Sequence, residues 1–354
     1  MSDNMPGAPK GRPGIKAVAA LAGVGIASVS RVLSGQPGSS PQLTQRVLDA
    51  ARALGYTPNA LARGLRGKST RSIGFVGSDI TNPLIASIVG GAESVLSVAG
   101  FSVLLTNSGG VPSADAERIE LLMQRQVDGL IVLPVLEDDP ATLAALRDIR
   151  APVALIDREL PADIPAHYVL SDHAQGIGDA ARHLLANGHR RIGLVVGRDV
   201  RPTRERIRAM ETAYDALDVK RELIVHRGTL SPEHGYAALE EMLSAKKPPT
   251  AIVLGGNQLL EGALEVVHRR GLRLGTDLSL VSCDDVPLCR YHQPAIATVM
   301  RDASLLGVRA AQILLGHLEA PGEPETVMLP TWFDARPSCG QVAAKAAARK
   351  LQRA

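Results

Sequence analysis

The sequence predicts an α/β protein in which a small all-α head precedes a larger core of two α/β lobes. Up to about residue 55, apolar residues recur only at helical spacing. From about residue 71, short apolar runs typical of buried strands alternate with helical segments, and this alternation occurs in two successive sets. The length of 354 residues accommodates two or three folding units.

Charge is distributed unevenly along the chain. The net charge is +3, but ten basic and two acidic residues give residues 1–71 a net charge of +8, which leaves −5 for the remainder. A basic head on an acidic core indicates that a polyanion is bound at one end of the molecule.

The head is predicted to be a helix-turn-helix domain over residues 15–55, preceded by a Pro- and Gly-rich, disordered tail over residues 1–14. The turn Gly23-Val24-Gly25 joins the first two helices, and Ser40-Pro41 caps the third. Apolar spacing places the three helices at residues 15–22, 26–33 and 42–54.

The second predicted helix contains candidate DNA-reading residues, because such a helix enters the major groove with its N-terminal residues at base edges. Arg31 can make a bidentate contact to guanine, whereas Ile26 and Ala27 can only touch thymine methyl groups or fill space. Ser28 and Ser30 can reach phosphates, which position the helix without reading sequence. A three-helix bundle that binds protein remains an alternative, whereas a dinucleotide-binding glycine run would require a preceding strand.

Residues 56–70 are predicted to form a short hinge helix and a linker. Thr57-Pro58 can begin this helix and Gly67 can end it. So short a helix is marginal in water, and Gly64 costs about 1 kcal/mol more relative to Ala. The segment therefore needs a partner to fold against. An interdomain linker with some helical bias accounts for the same residues.

The core is assigned to residues 71–339 and is followed by a basic, disordered tail at 340–354. Four strands are predicted for a first parallel sheet, at residues 72–77, 101–106, 129–133 and 153–156. Four more are predicted for a second sheet, at residues 191–196, 223–226, 251–254 and 280–283. A late strand at 296–299 and a helix at 301–317 are predicted to return to the first lobe. These segments place lobe 1 at about residues 71–165 and 296–320, and lobe 2 at about residues 166–295 and 321–339.

Polar residues follow the predicted strands, at the sheet edge where such folds bind ligands. Carboxylates, amides and a guanidinium together suit a polyhydroxylated ligand, which offers both donors and acceptors. Asn107 and Asp285 belong to this group of strand-end residues. Each residue alone could equally be a helix cap or a surface residue. The predicted ligand-binding set is Asp79, Asn82, Asp157, Arg158, Arg206, Asn257 and Asp284.

Two stretches of the head, AVAALAGVGIASVSRVLSG and LTQRVLDAARALGYTPNALARGLRG, resemble the DNA-binding domain of the LacI/GalR repressor family. The resemblance covers residues from about 15 to 338. It implies a Rossmann-like, type I periplasmic-binding-protein-like core that binds a small effector and dimerises. The core stretches that carry it are DITNPLIASIVGGAE, QVDGLIVLP, ANGHRRIGLV, GLRLGTDLSLVSCDDVPLCRY and PAIATV.

The same resemblance assigns a role to the hinge. In that family the hinge helices of two subunits pair in the minor groove, and a leucine from each opens the central base step. The resemblance places this wedge at Leu65 and neighbouring DNA contacts at Asn59, Ala62 and Arg63. An apolar wedge beside arginine is how minor-groove proteins kink DNA.

The expected effector is a sugar, a sugar acid or a sugar phosphate. Leu84 stands where the family often has an aromatic residue, and Gly255-Gly256-Asn257-Gln258 replaces a commoner Ala-Asn-Asp. A ring-stacking surface is therefore weaker, and an amide replaces one carboxylate. A basic loop before Arg206 favours an anionic effector, although a solvated loop accounts for it equally well; its arginines are Arg198, Arg201 and Arg204.

Enzymatic chemistry is not indicated. The sequence contains no Gly-x-Ser-x-Gly elbow, no glycine loop with Lys-Ser/Thr and no His/Cys cluster at metal spacing, so we predict no metal and no other cofactor. The cysteine usage and the lack of a signal-peptide core favour a cytoplasmic, nucleoid-associated protein without a membrane partner. The C-terminal tail lacks a leucine heptad, which favours a homodimer over a tetramer.

The predicted function is that of an effector-controlled transcriptional repressor that binds a palindromic operator in double-stranded DNA. The alternative is a secreted or cytoplasmic sugar-binding protein without DNA specificity. Sequence-specific, salt-dependent DNA binding distinguishes the two functions.

Overall fold

The computed structural model describes residues 13–33, 38–56 and 69–342. The chain divides into two compact units, residues 1–70 and 71–354, and each is described by itself. The predicted hinge helix lies almost entirely outside the described residues, as do most of the predicted terminal tails. The predicted hinge contacts to DNA also lie outside them: Asn59, Ala62, Arg63 and Leu65.

The described part of the head consists of three helices, α1 (Ile15–Ala22), α2 (Ile26–Leu33) and α3 (Pro41–Ala53), within one residue of their predicted bounds. The turn after α1 begins at Gly23, whose φ of +62° lies in the left-handed region that favours glycine. The axes of α1 and α2 are at 104°, which falls within the range of about 90–120° typical of helix-turn-helix motifs. The predicted helix-turn-helix is confirmed.

A small apolar core holds the three helices together. Val18, Val29 and Val47 each contribute a fully buried side chain from a different helix. The Arg46 guanidinium donates a 2.5 Å hydrogen bond to the carbonyl oxygen of Ala22, where α1 ends and its carbonyl groups lack helical partners. This contact fixes the end of α1 against α3.

The first lobe of the core is built on six parallel strands: β1 (Ser72–Gly77), β2 (Ser102–Asn107), β3 (Gly129–Val132), β4 (Val153–Ile156), β5 (His167–Ser171) and β11 (Thr326–Leu329). Their order across the sheet is β11-β5-β4-β3-β1-β2. Helices α4 (Pro83–Val98) and α12 (Ala303–Glu319) pack on one face, and α5 (Pro112–Gln124) and α6 (Pro140–Arg147) pack on the other.

The second lobe repeats this arrangement with β6 (Arg191–Val196), β7 (Glu222–Arg227), β8 (Ala251–Leu254), β9 (Ser279–Cys283), β10 (Ala297–Arg301) and β12 (Thr331–Asp334). The order is β12-β10-β9-β8-β6-β7, and β12 is antiparallel to β10. One face is covered by α7 (His173–Ala186) and α8 (Arg201–Ala216), and the other by α9 (Pro232–Ser244) and α10 (Leu260–Arg269). A short helix, α11 (Pro287–Tyr291), follows β9. The two-lobed α/β fold is confirmed.

The lobe bounds differ from those we predicted at three strands. β5 pairs with β4 in the first sheet, although residues 166–295 were predicted for lobe 2. β10 pairs with β9 in the second sheet, although residues 296–320 were predicted for lobe 1. β11 lies in the first sheet, although it follows the predicted final return to lobe 2. The chain thus crosses between lobes three times, near residues 172, 302 and 330. Apolar runs identify strands but not their partners, which explains the error.

Each lobe contains one helix pair that packs through glycines. A Cβ atom added to Gly307 of α12 would lie 1.9 Å from the carbonyl oxygen of Ile88 in α4, and one added to Gly91 of α4 would lie 2.0 Å from that of Ser304 in α12. In lobe 2, a Cβ atom added to Gly262 would lie 1.7 Å from the carbonyl oxygen of Pro232. The two helices of each pair therefore approach backbone to backbone.

Between residues 13 and 342, gaps excepted, no single helix is both long enough and apolar enough to cross a membrane. Only α1 and α2 taken together, which are sharply bent, reach the length and composition of a span.

Candidate functional site

The head presents the predicted DNA-reading residues on α2. Ile26, 39% exposed, lies at the start of the helix, and Ala27 and Arg31 are exposed as well. Ser28 and Ser30 are half-buried, because they flank the buried Val29 on the helix surface. The N-terminal part of α2 is therefore accessible, and contact of these five residues with DNA stays a prediction.

The core contains a cavity of about 410 Å³ between its two lobes. All seven predicted ligand-binding residues line it, although Asn107 and Asp285 do not. Asn107 instead accepts from the backbone N–H of Ile80, and Asp285 pairs with Arg290 and Arg336. Lobe 1 contributes four of the seven and lobe 2 three: Asp79, Asn82, Asp157 and Arg158, and Arg206, Asn257 and Asp284. Their contact with a ligand stays a prediction.

Asp157 and Asp284 occupy equivalent places in the two lobes. Asp157 follows β4 and donates its backbone N–H to Val169 at 3.0 Å, and Asp284 follows β9 and donates to Val299 at 2.9 Å. Both have a left-handed backbone, with φ values of +51° and +65°. Aspartate tolerates this conformation better than most residues, which turns both side chains to the end of their sheets.

Arg301, at the end of β10, joins these two carboxylates into one buried ion triad. Its Nε and Nη2 atoms donate to the two oxygens of Asp284 at 2.7 and 3.1 Å, and its Nη1 donates to Asp157. Asp157 also accepts from the backbone N–H of Ser171 at 2.6 Å and from its hydroxyl at 3.1 Å. Because Asp157 belongs to lobe 1 and Asp284 to lobe 2, Arg301 bridges the lobes.

Arg301 was not among the predicted ligand-binding residues, because a helix was predicted to begin at this position. Asp302 in fact caps α12, accepting from the backbone N–H of Leu305 at 2.9 Å, so the helix begins at Ala303 and Arg301 ends a strand. One signal in the sequence could have identified it: a basic residue that follows an apolar run and directly precedes an Asp helix cap.

Burial and nearby charges together set the protonation states of the triad and of His173. Burial by itself would raise the pKa of Asp157, but Arg301 and then His173 hold that pKa well below the ordinary carboxyl value. The pKa of Asp284 is lowered in the same way, since Arg301 outweighs burial. Burial and then Arg206 lower the pKa of His173 to about 4, so this imidazole is neutral at physiological pH. The triad consists of two carboxylates and one guanidinium, all ionised.

Side-chain amides that line the cavity connect the lobes. Asn257 Nδ2 donates to Asn82 Oδ1 at 3.0 Å, and Asn82 Nδ2 donates to Gln258 Oε1 at 3.2 Å. Gln258 Nε2 in turn donates to Asp79 Oδ2 at 2.9 Å. Three of the predicted ligand-binding residues therefore contact each other or Gln258, and we call these four residues the amide latch.

A second set of interlobe contacts lies at the start of α8. The Arg204 guanidinium pairs with the Glu137 carboxylate at 2.8 Å. Arg201, which is buried, pairs with Glu159 at 3.0 Å and donates to the carbonyl oxygen of Ser171 at 3.1 Å. These two arginines of the predicted basic loop therefore connect lobes and do not line the cavity.

Arg206 is buried, with 5% of its surface exposed, and lines the cavity. Its Nε has no hydrogen-bond partner within the described residues. The nearby Cys283 thiol, whose pKa burial raises to about 11, is too weak an acceptor to satisfy a guanidinium. Among the described residues, the Nε atom of Arg206 is thus a buried donor without a hydrogen-bond partner.

The described residues contain no group of three His, Cys, Asp or Glu side chains arranged to hold a metal ion. The three cysteines are free thiols. The polar side chains that line the cavity offer hydrogen bonding and charge pairing.

Two family descriptions match the chain. Residues 14–59 match "Bacterial regulatory proteins, lacI family", and residues 181–339 match "Periplasmic binding protein-like domain". The first match covers the three-helix head, and the second lies within the core.

Curated relatives match over nearly their whole length. The HTH-type transcriptional repressor PurR of Actinobacillus pleuropneumoniae serotype 3 is 30% identical over 321 residues, covering 88% of this chain and 94% of that protein. The repressor of the same name from Proteus mirabilis is 32% identical over 310 residues, covering 86% and 90%.

Solved structures show the same architecture. The Lac repressor bound to ONPG superposes with a TM-score of 0.80 at 26% identity, covering 93% of this chain and 100% of that one. The CelR–cellobiose complex superposes with a TM-score of 0.69 at 29% identity, covering 92% and 100%. A ribose-bound LacI family regulator from Enterococcus faecium has a TM-score of 0.68 at 26% identity, covering 77% and 99%.

Proposed function

Because the chain belongs to the LacI family of bacterial regulatory proteins, we propose that its head binds an operator and that its core controls this binding through a small ligand. The chain is a DNA-binding transcriptional repressor of this family and not an enzyme. The observation that carries the proposal is the presence, in one chain, of a helix-turn-helix and of a cavity lined by all seven predicted ligand-binding residues.

The proposed operator is a palindrome in double-stranded DNA, bound by a homodimer. A dimer of helix-turn-helix heads reads two half-sites about one helical turn apart. The basic head supports phosphate binding, and the exposed start of α2 supports base contact through Ile26, Ala27 and Arg31. A Lac repressor dimer bound to operator is among the similar structures, with a TM-score of 0.79. A cytoplasmic, nucleoid-associated location follows from this proposal.

The proposed effector is a sugar, a sugar acid or a sugar phosphate. A cavity of about 410 Å³ falls within the range of about 300–1,000 Å³ that suits small ligands. Leu84, Leu133 and Leu230 give it an apolar surface beside the polar groups, which suits the two kinds of surface on a sugar ring. Two of the similar proteins were solved with ribose and with cellobiose.

We propose that the ligand controls operator binding by changing the angle between the lobes. The ligand would occupy a cavity whose walls come from both lobes, next to the amide latch and the Arg301 triad. A changed angle would alter the spacing of the two hinge segments, residues 56–70, in a dimer and so favour or oppose their folding on DNA. Coupling of about 1–3 kcal/mol is typical for such systems.

Fluorescence anisotropy tests this function. A palindromic operator selected from random duplexes would be titrated with the full chain, with and without sugars, sugar acids and sugar phosphates. We expect preference for the selected operator, a steep loss of affinity with salt, and a shift in affinity with at least one effector. Equal binding of selected and random duplexes at moderate salt would favour the alternative, a sugar-binding protein without DNA specificity.

Arg31→Ala is expected to relax the preference for guanine at one position of each half-site by about 1–3 kcal/mol, because it removes a bidentate base contact. Binding to operators that carry each of the four bases at every position would measure this.

Arg52→Ala is the matched control. Arg52 lies on α3, is exposed and pairs with Asp49 at 3.4 Å, so its replacement removes the same charge from the same unit. It should leave the base preference unchanged at all positions. If Arg31→Ala also left every base preference intact, Arg31 would not be a base-reading residue.

A further inference from the structure

The acceptor groups at the centre of the cavity are already occupied by the protein itself. All four carboxylate oxygens of Asp157 and Asp284 accept hydrogen bonds from Arg301 or Ser171. Asp79, which also lines the cavity, accepts from the Gln258 amide. These carboxylates therefore have fewer lone pairs left for the hydroxyl hydrogens of a neutral, polyhydroxylated ligand.

The arginine side chains that line the cavity are less fully engaged by the protein than these carboxylates are. Arg158, Arg198 and Arg206 line the cavity, and within the described residues none of them forms an ion pair. Arg158 donates to the carbonyl oxygens of Pro134 and Asp157, and Arg198 donates to that of Gly110, so the hydrogen bonds of these two guanidinium groups go to neutral acceptors. Arg206 is the most buried of the three, and its Nε is unpartnered there. A buried, unpaired charge is costly, so an acceptor from outside the protein would be strongly favoured.

The ends of three long helices add to this positive potential. The N-termini of α4, α8 and α9 all border the cavity, at Asn82, at Val200 and Thr203, and at Ser231. The partial positive charge at a helix N-terminus favours an anion. Arg206 belongs to the second turn of α8 itself, so the helix dipole and the Arg206 guanidinium act at the same wall of the cavity.

We propose that the effector is an anion, whose carboxylate or phosphate group is bound by Arg206 with Arg158 and Arg198 nearby. Asp157 and Asp284 do not bind it directly; with Arg301 they form the floor of the cavity and connect the lobes beneath the ligand. This inference rests on the proposed function for the existence of an effector and narrows its chemical class. It favours an anionic ligand over the neutral sugars that the seven predicted residues by themselves would suit.

Isothermal titration calorimetry on the full chain, at constant ionic strength and without DNA, tests this. The probes are inorganic phosphate and matched ligands with one skeleton each: D-ribose with D-ribose 5-phosphate, and D-glucose with D-gluconate and D-glucose 6-phosphate. We expect phosphate to bind measurably and at least one anionic ligand to bind about tenfold or more tightly than its neutral counterpart, since charge-assisted hydrogen bonds are worth that much.

Variants of Arg206 test whether the anionic ligand binds at the wall of the cavity that this residue lines. Arg206→Gln should weaken the anionic ligand about tenfold or more, and Arg206→Lys should retain part of the affinity by keeping the charge. Arg221→Gln is the control, because Arg221 is an exposed lobe 2 arginine that pairs with Asp215 outside the cavity; it should leave affinity unchanged. In the absence of ligand, Arg206→Gln should have an unchanged or higher Tm, because the replaced guanidinium lacks a partner.

Three results would overturn the inference. The neutral and anionic ligands of each matched set could bind equally, no anion could bind at millimolar concentration, or the Arg206→Gln variant could keep full affinity for the anionic ligand. A lowered ligand-free Tm for that variant would likewise show that Arg206 is a structural group. Operator binding measured on the same preparations separates the two proposals. An intact operator preference with no anion binding would refute only the anionic effector, whereas loss of operator preference would refute the repressor function.

Discussion

Arg301→Met is expected to lower the free energy of unfolding of the core by about 3–5 kcal/mol, because it leaves two buried carboxylates without their cation. Arg301 itself is only 10% exposed at its side chain, and the Asp157 and Asp284 side chains are 4% and 10% exposed. Water in the cavity can therefore replace the lost partner only in part. Urea unfolding monitored by circular dichroism, at about pH 7, would measure the change.

Arg221→Met is the matched control for this experiment. Arg221 also pairs with two carboxylates, those of Glu211 and Asp215, but its side chain is 43% exposed. Exposed pairs contribute about 0–1 kcal/mol, so this variant should unfold almost as the wild type does. Similar losses of unfolding free energy in the two variants would contradict a special role for the buried triad. A triple variant, Asp157→Asn with Arg301→Met and Asp284→Asn, should recover part of the stability, since it removes the uncompensated charges.

The pH dependence of this effect has a definite sign. The pKa values of Asp157 and Asp284 are lowered in the folded protein, chiefly by Arg301 acting against burial. Groups of this kind contribute stability that is fully present above their unfolded pKa, about 4, and that is lost as pH falls through the lower folded values. The difference between wild type and Arg301→Met should therefore be full at neutral pH and shrink in acid.

Gly307→Ala is expected to destabilise lobe 1 by about 3 kcal/mol, the upper end of the usual cost of overpacking. The added Cβ would lie 1.9 Å from the carbonyl oxygen of Ile88, and this oxygen belongs to helix backbone that cannot move alone. Relief requires α4 and α12 to separate, which would loosen the apolar contacts between them. Thermal and urea unfolding would measure the loss.

Gly316→Ala provides the control in the same helix. Nothing lies within 4 Å of a Cβ built on Gly316, so alanine should raise stability by up to about 1 kcal/mol through its better helix propensity. If the Gly307→Ala variant were as stable as the Gly316→Ala variant, the close approach of the α4 and α12 backbones would be contradicted.

Much of the fold was predictable because its signals are local. Apolar residues at helical spacing, together with Ser40-Pro41, predicted α1, α2 and α3 to within one residue. Short apolar runs predicted nine strands, all of which are present, and β5, β11 and β12 were missed. The rule that ligands bind at the carboxyl ends of parallel strands also predicted seven ligand-binding residues, all of which line one cavity.

Other features depended on contacts between residues far apart in the chain. Whether β5 and β10 belong to the first or the second sheet is a question of hydrogen-bonded partners, and a strand's own residues do not identify these. The amide latch joins Asp79 and Asn82 to residues about 175 positions later, which no local pattern could indicate.

By itself, the sequence determined nine of the twelve described strands, the basic helix-turn-helix head and the family to which the chain belongs, because these follow from local periodicity, capping and motif order. Only the tertiary structure decided how the cavity uses its charges. It paired Asp157 and Asp284 with Arg301 and left the Arg206 Nε atom without a hydrogen-bond partner among the residues that the structure describes. The physical reason is that a side chain's available hydrogen bonds depend on which partners folding brings within reach, and here the chain crosses three times between the lobes to bring them together.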